Sequence, residues 1–327
     1  RQRQMCIRDR YKNKSEDLLY SVPVPAQTGV SNTFVTMNAA SMENSGFEFS
    51  ATYRNRDHAL KYDISANVST LKNKVTSLGI GKNSYITGAY ATYVGQEIGK
   101  FYGWVYEGIA RTQDELDGHA TQQGANVGDC LYKDISGPNG EPDGVIDAYD
   151  QTVLGSGLPK VNFGLSTHME YKGFDLNIST YGVLNYHVSD DIYNSLNSCY
   201  GYGNKEVGML DANRWSEDGS TYLSSVPRTY AANNATLGWN DLFSSRKIQN
   251  AAYWKIANVE LGYNFPDKWF GGYVSGVRLY VSAQNLYTFT GYHGYNVDYA
   301  GGTFTPGYNF CSFPSARTFM CGLHFTF

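Results

Sequence analysis

Arg317-Thr318-Phe319-Met320-Cys321-Gly322-Leu323-His324-Phe325-Thr326-Phe327 decides the fold. Phe319, Cys321, Leu323, Phe325 and Phe327 fall on one side of an extended chain, with Thr318, Gly322, His324 and Thr326 on the other. Successive side chains of a strand point to opposite faces, so this alternation is a strand with one apolar and one polar surface. The same pattern recurs upstream. Phe47, Phe49, Ala51 and Tyr53 oppose Glu48, Ser50, Thr52 and Arg54. Leu60, Tyr62, Ile64, Ala66 and Val68 oppose Lys61, Asp63, Ser65 and Asn67. Val161, Phe163, Leu165 and Met169 oppose Asn162, Ser166, His168 and Glu170; Phe174, Leu176 and Ile178 oppose Asp175, Asn177 and Ser179. Val277, Leu279, Val281 and Ala283 oppose Arg278, Ser282 and Gln284. Tyr253, Ala257, Val259, Leu261, Tyr263 and Phe265 form a further apolar face that Lys255 interrupts. With a ragged strand near Tyr11–Val22, about eight strands are expected.

The connections come in two lengths. Asn55–Ala59, Lys172–Gly173 and Pro266–Gly276 are short; Pro23–Met42, Lys72–Pro159, His187–Gln249 and Gly291–Ala316 are long. They alternate strictly. A transmembrane barrel sorts its connections in this way, with short turns on one side and long loops on the other. A soluble sandwich has no reason to. The expected fold class is therefore all-β, an antiparallel transmembrane β-barrel fragment with long extracellular loops. The alternative is a secreted or surface β-rich binding or adhesion module, whose apolar faces would meet inside a sandwich.

Composition agrees. Charged residues make up 17% of the 327 residues, against about 25% in an ordinary soluble protein. No apolar run approaches the roughly 18 residues of a membrane helix. Tyr outnumbers Trp by 28 to 5, which suits rings placed at membrane–water boundaries. A net charge of -4 gives no footing for a nucleic-acid partner. Cys6, Cys130, Cys199, Cys311 and Cys321 match no zinc spacing. Cys321 belongs to an apolar strand face, whereas Cys130, Cys199 and Cys311 fall in expected loops, where an oxidising compartment permits one disulfide. Residues 1–10 are basic, lack the apolar core of a signal peptide and read as a non-native segment outside the fold, leaving 11–327 as the barrel part.

Several motifs resemble the SusC/RagA-like TonB-dependent outer-membrane transporters. Asn38-Ala-Ala-Ser-Met42-Glu43-Asn44-Ser-Gly46-Phe47-Glu48 is similar to their N-x-x-S-M-E-N-x-G-F/W-E segment, and Asn73-Lys74-Val75-Thr76-Ser77-Leu78 to N-K-V-T-x-L. Val94 to Ile109 resembles V-G-x-P-I-G-x-F-Y-G-Y-x-x-D-G-I, with Glu97 where that family has Pro. Gly128-Asp129 with Asp143-Gly144-Val145-Ile146 resembles G-D…D-G-x-I, and Arg278 to Leu286 resembles R-L-Y-x-S-x-Q-N-L. Pro314-x-x-Arg317-Thr318-Phe319 and the final Phe327 complete the set. The resemblance implies the C-terminal part of a barrel of about 22 strands, with plug and TonB-contacting segments elsewhere. It implies TonB-dependent import of a glycan or peptide oligomer across the cell outer membrane, beneath a SusD-like surface lipoprotein. The aromatic C-terminal strand, with Phe319, Leu323, Phe325 and Phe327, resembles the signal read by the barrel assembly machinery.

Candidate sites lie in the loops. Asn139, Glu141, Asp143, Asp147 and Asp150, with the Val145 carbonyl, fall on the ligand positions of a twelve-residue EF-hand loop; Gly144 takes the sharp-turn position and Ile146 follows as an apolar anchor. Asn, Glu and Asp at the first, third and last positions depart from the pattern. A structural Ca²⁺ is the chemistry such a loop suggests, set against a plain solvated acidic turn. Phe101, Tyr102, Trp104 and Tyr106, with Trp215, Trp239, Tyr292 and Tyr295, offer faces for sugar rings or peptide side chains, set against ordinary loop packing. The six His are scattered, and no H-E-x-x-H, G-x-S-x-G or P-loop pattern occurs, so no catalytic residue is expected.

Overall fold

The computed structural model describes residues 3–23, 34–79, 83–199, 204–207, 214–217, 224–229, 238–270, 276–298, 301–310 and 312–326. One antiparallel sheet carries eight strands in chain order. They are β1 (Arg3–Pro23), β2 (Phe34–Asn55), β3 (Lys61–Thr70), β4 (Val161–Tyr171), β5 (Phe174–Leu184), β6 (Tyr253–Phe265), β7 (Gly276–Thr290) and β8 (Thr318–Thr326). The short strand Lys72–Ser77 continues the line of β3 along β2. The two-residue turn between β4 and β5 has φ of 48° at Lys172 and 88° at Gly173, the left-handed pair that matches the twist of a hairpin.

Register aligns the apolar faces into one belt. Tyr62, Met169, Leu176, Leu261, Val281 and Cys321 form a continuous cross-strand row. Directly alongside, on the other face, run Asp63, His168, Asn177, Glu260, Ser282 and Met320. Among the described residues no second layer covers the belt: Leu165 is 42%, Val281 50% and Leu323 58% exposed. A sandwich would bury these side chains. In a barrel the same side chains meet lipid, so the fold is that of an antiparallel transmembrane β-barrel segment. Aromatic residues bracket the belt, with Phe174, Tyr263, Phe265 and Trp269 near the short turns and Trp254, Tyr287 and Phe289 at the loop end.

Three expectations need correction. Tyr253 does not share the face of Val259 and Leu261. Ser179 pairs with Asn258 and Thr180 with Ile256, so Ala257 is an extra residue, a β-bulge. Beyond it Trp254 and Ile256 take the apolar side, while Tyr253 and Lys255 turn to the polar side. That is why Lys255 interrupts the sequence pattern. Second, much of the connection expected at Pro23–Met42 is strand: β1 and β2 run 21 and 22 residues, about twice the length a tilted strand needs to cross a bilayer. Third, residues 3–10 are not outside the sheet but pair along β2 from Arg3 opposite Arg54. A strand edge accepts any extended backbone. The side chains suit it poorly, since Arg8 and Arg10 stand opposite Phe49 and Phe47 on the belt face.

The buried core lies mainly beyond the strands, in the long loops. Ala40, Met42, Val75, Leu78 and Ile98 form one cluster; Cys130, Tyr132, Ile146 and Trp239 another; Val183, Tyr186, Val188, Ala251, Tyr253, Tyr292 and Val297 a third. The loops also pair with each other. His187–Asp190 runs parallel to Tyr308–Asn309 and antiparallel to Gln249–Asn250. Trp104 bridges to Ser244.

Candidate functional site

Two kinds of surface are available to a ligand: the polar face of the sheet and the cavities of the loop layer. On the sheet, three strands converge on one guanidinium. Arg278 of β7 donates to both carboxylate oxygens of Asp175 on β5, at 3.0 and 2.5 Å, and to Glu260 on β6 at 2.6 Å. Asn264 adds a bond to Asp175 at 2.8 Å. Gly262 leaves the room: a Cβ there would lie 2.6 Å from both the guanidinium and the Asp175 carboxylate. Arg278 opens the R-L-Y-x-S-x-Q-N-L stretch, and its role here is to tie strands together across the polar face. Nearer the loops, Lys255 donates to Asp298 at 2.5 Å, and the Tyr181 hydroxyl donates to the same carboxylate at 3.2 Å. A loop residue is thereby held against the sheet.

The Gly128-Asp129 pair proves to be a structural knot. Asp129 is 2% exposed and accepts two bonds from Arg228, one from the Asn126 amide and one from Asn240, at 2.6–2.8 Å. Gly128 has φ of 92°, and a Cβ there would meet the Trp215 ring at 2.4 Å. Trp215 is thus packed on the knot.

The acidic loop closes on itself. Asp150 is fully buried and accepts from the backbone of Ile135, Ser136 and Asp147, at 2.7, 3.1 and 2.8 Å. Asp147 caps the short 3₁₀ turn Ala148–Asp150 by accepting from Tyr149 N–H. Asp143 accepts from Val145 N–H, and Asp134, which the sequence motif did not include, from Gly144 N–H at 2.7 Å. Asn139, Glu141 and Val145 point to solvent, and Ile146 enters the core. Among the described residues no group of three or more His, Cys, Asp or Glu side chains is placed to hold a metal. Backbone donors occupy the carboxylates at positions 147 and 150, short of the six to eight free oxygens that Ca²⁺ gathers.

The eight aromatic candidates separate. Phe101, Trp215, Trp239 and Tyr292 are buried. The Tyr292 hydroxyl donates to Asp190, and the indole of Trp239 donates to Gln123 O at 3.1 Å. Trp104 donates to Asp147 O at 2.9 Å and packs on the same core, while Tyr102 is half-buried. Two line cavities. Tyr295, 63% exposed, borders a space of about 340 Å³ with Asn285, Asn296 and Arg317. Tyr106 borders one of about 300 Å³ between the long loops 72–159 and 187–249.

Near that second cavity lie two buried cysteines. The Cys130 amide donates to Asn240 and the Cys199 amide to the adjacent Asp241. Both thiols are free. Burial pushes the Cys130 thiol up to about 12 and raises that of Cys199. Cys311 and Phe327 lie outside the described residues; Phe319, Leu323 and Phe325 stand exposed on the belt face of β8.

No family model matches the chain. It is 31% identical to the TonB-dependent receptor P3 of Formosa agariphila, over 98% of this chain and 32% of that protein. It is 27% identical to the TonB-dependent receptor SusC of Bacteroides thetaiotaomicron, over 98% of this chain and 30% of that one. The chain therefore spans about a third of the length of the relatives it matches. Among solved structures it superposes on the RagAB peptide transporter with a TM-score of 0.77 at 22% identity, covering 98% of this chain and 33% of that one. The open-open state of RagAB gives 0.75 at 21% identity, with 99% and 33% covered. Along nearly its whole length the chain is similar to a stretch of SusC/RagA-like TonB-dependent receptor, in sequence to P3 and SusC and in fold to RagAB.

Proposed function

We propose that this chain is the C-terminal part of a barrel in the cell outer membrane that imports a glycan or peptide oligomer at the expense of TonB-transmitted energy. The observation that carries the reading is the belt: one face apolar and uncovered across the sheet, the other polar and crosslinked by side chains. Such a wall separates lipid from a wet passage. The loop layer, with Tyr106 and Tyr295 at its cavities, is the part that meets cargo. A SusD-like lipoprotein covers the loops, and TonB engages a segment outside this chain. Phe319, Leu323, Phe325 and Phe327 present the last strand to the barrel assembly machinery. The chain's own role is that of a conduit and binding surface, with no catalysis. The sequence of residues 1–10 is foreign to the receptor, although residues 3–10 extend β1 along β2.

The test is uptake. Deleting the receptor that carries this chain, or collapsing the proton gradient in cells that have it, abolishes accumulation of the cargo oligomer. Uptake that persists in either case refutes import. The secreted-module reading is tested separately by expression without detergent, which yields aggregates if the belt faces lipid and a monodisperse soluble protein if it does not.

A further inference from the structure

The cavity beside Tyr106 holds a cation without a counter-charge. Its lining includes Tyr106, Tyr193, Asn194, Asn197, Arg246 and Lys247. The backbone there is fixed. Ser245–Lys247 forms a 3₁₀ turn, anchored by Ser245 N–H on Trp104 O and by Tyr106 N–H on the Ser245 hydroxyl, both at 3.0 Å. The short helix Asp191–Leu196 and its C-cap Asn197 bring the remaining polar groups.

Most donors at this place are already in use. Lys247 donates to Asp241 O at 2.5 Å. Asn194 donates to the Ser189 hydroxyl, and Asn197 to Tyr193 O and Glu206. Arg246 differs: among the described residues its guanidinium makes no hydrogen bond and no ion pair, although the side chain is only partly exposed. Five N–H donors in a planar fork match a carboxylate in both charge and shape. Taking such a group partly out of water without a partner is unfavourable. The cavity lining contains two cations and no carboxylate; the Asp241 carboxylate behind it lies 4.0 Å from Lys247 and already accepts from the Cys199 amide, leaving Arg246 as the cation without an acid partner among the described residues. Burial raises the Tyr106 phenol, so it stays protonated and able to donate.

We propose that this cavity binds a carboxylate of the cargo oligomer, held by the fork of Arg246 with the Tyr106 hydroxyl as a second donor. The group is either the terminal or side-chain carboxylate of a peptide or that of a uronic acid. The inference rests on the import reading only in taking the loops as the cargo side. Binding to the purified receptor needs neither TonB nor a proton gradient, so the two can fail separately.

The receptor carrying this chain, purified in detergent, is titrated calorimetrically with N-acetyl-tetra-alanine and its C-terminal amide, and with trigalacturonate and its methyl ester. In at least one pair the free acid is expected to bind about tenfold tighter than the blocked form, a difference of about 1.4 kcal/mol. Preference in one pair identifies the source of the carboxylate; preference in both supports a general carboxylate site. R246Q is expected to abolish the preference and R246K to keep part of it, with heat-modifiable migration confirming a folded barrel. Should R246Q fail to fold, Y106F is expected to weaken the free acid and leave the blocked form unchanged. Equal binding of acid and blocked forms in both pairs, binding of neither acid at about 10 mM, or an undiminished preference in R246Q or Y106F would overturn the proposal.

Discussion

Placing one arginine at different depths along β6 separates a lipid-facing belt from a water-facing one. From Trp254 to Tyr263 the strand runs about 30 Å at ~3.3 Å per residue, which a tilt of about 40° turns into a rise of about 23 Å, close to the apolar band of an outer-membrane barrel. Val259 lies near the middle, on the belt face, paired with Ile178 and Ala283. Tyr263 marks the aromatic edge, and Asn258 is Val259's neighbour on the polar face. In a membrane barrel, V259R costs about 2–4 kcal/mol and Y263R about 0–1 kcal/mol. N258R meets water and neighbouring polar groups, and changes stability by about 0.5 kcal/mol or less. The comparison needs the intact receptor in short-chain phosphatidylcholine bilayers, unfolded with guanidinium and followed by tryptophan fluorescence. If the belt faced water, all three substitutions would fall within about 0.5 kcal/mol of wild type. A flat profile would therefore refute the assignment of faces, and an N258R penalty larger than that of V259R would reverse it.

Other outcomes follow from the loops. D129A removes the buried half of a partly exposed pair and leaves Asn240 with one acceptor fewer; losing these bonds costs about 1–3 kcal/mol, and limited proteolysis should then cut loops that resist it in the wild type. Added CaCl₂ should leave the melting of the receptor unchanged, because Asp147 and Asp150 are already engaged by backbone N–H groups; a clear upward shift would show that the acidic loop takes the metal after all. The Cys130 thiol titrates near 9.0 when exposed and about 12 when buried. A raised acid favours its protonated form in the fold, so its stabilising contribution is complete below pH 9 and is lost between about 9 and 12. Loop melting that stays constant across that alkaline range would contradict the burial.

The strand pairing was legible because every second residue reports its own face. Eight segments, two classes of connection and the Lys172–Gly173 turn could be read directly. The Ala257 bulge could not, since one extra residue changes the parity of everything beyond it and leaves only Lys255 as a sign. The length of β1 and β2 was hidden for a related reason: above the bilayer a strand no longer needs to alternate. In the loops, composition misleads. Phe101, Trp239 and Tyr295 look alike in sequence, yet two are core and one is open to solvent. Asp150 resembles a metal ligand until its three backbone donors are seen. Arg278 and Asp175, or Arg246 and Tyr106, are brought together by topology, and no local pattern announces them.

The position of the core has a thermodynamic corollary. Aliphatic and aromatic side chains of the loops are driven inward by water, whereas the wall is stabilised by an environment that already matches its outer surface. One polypeptide thus answers to two solvents. Altered lipid thickness or detergent acts on the hydrogen-bonded wall, and urea acts first on the loop layer above it. The loops can then change, substitution by substitution, while the wall beneath keeps its register.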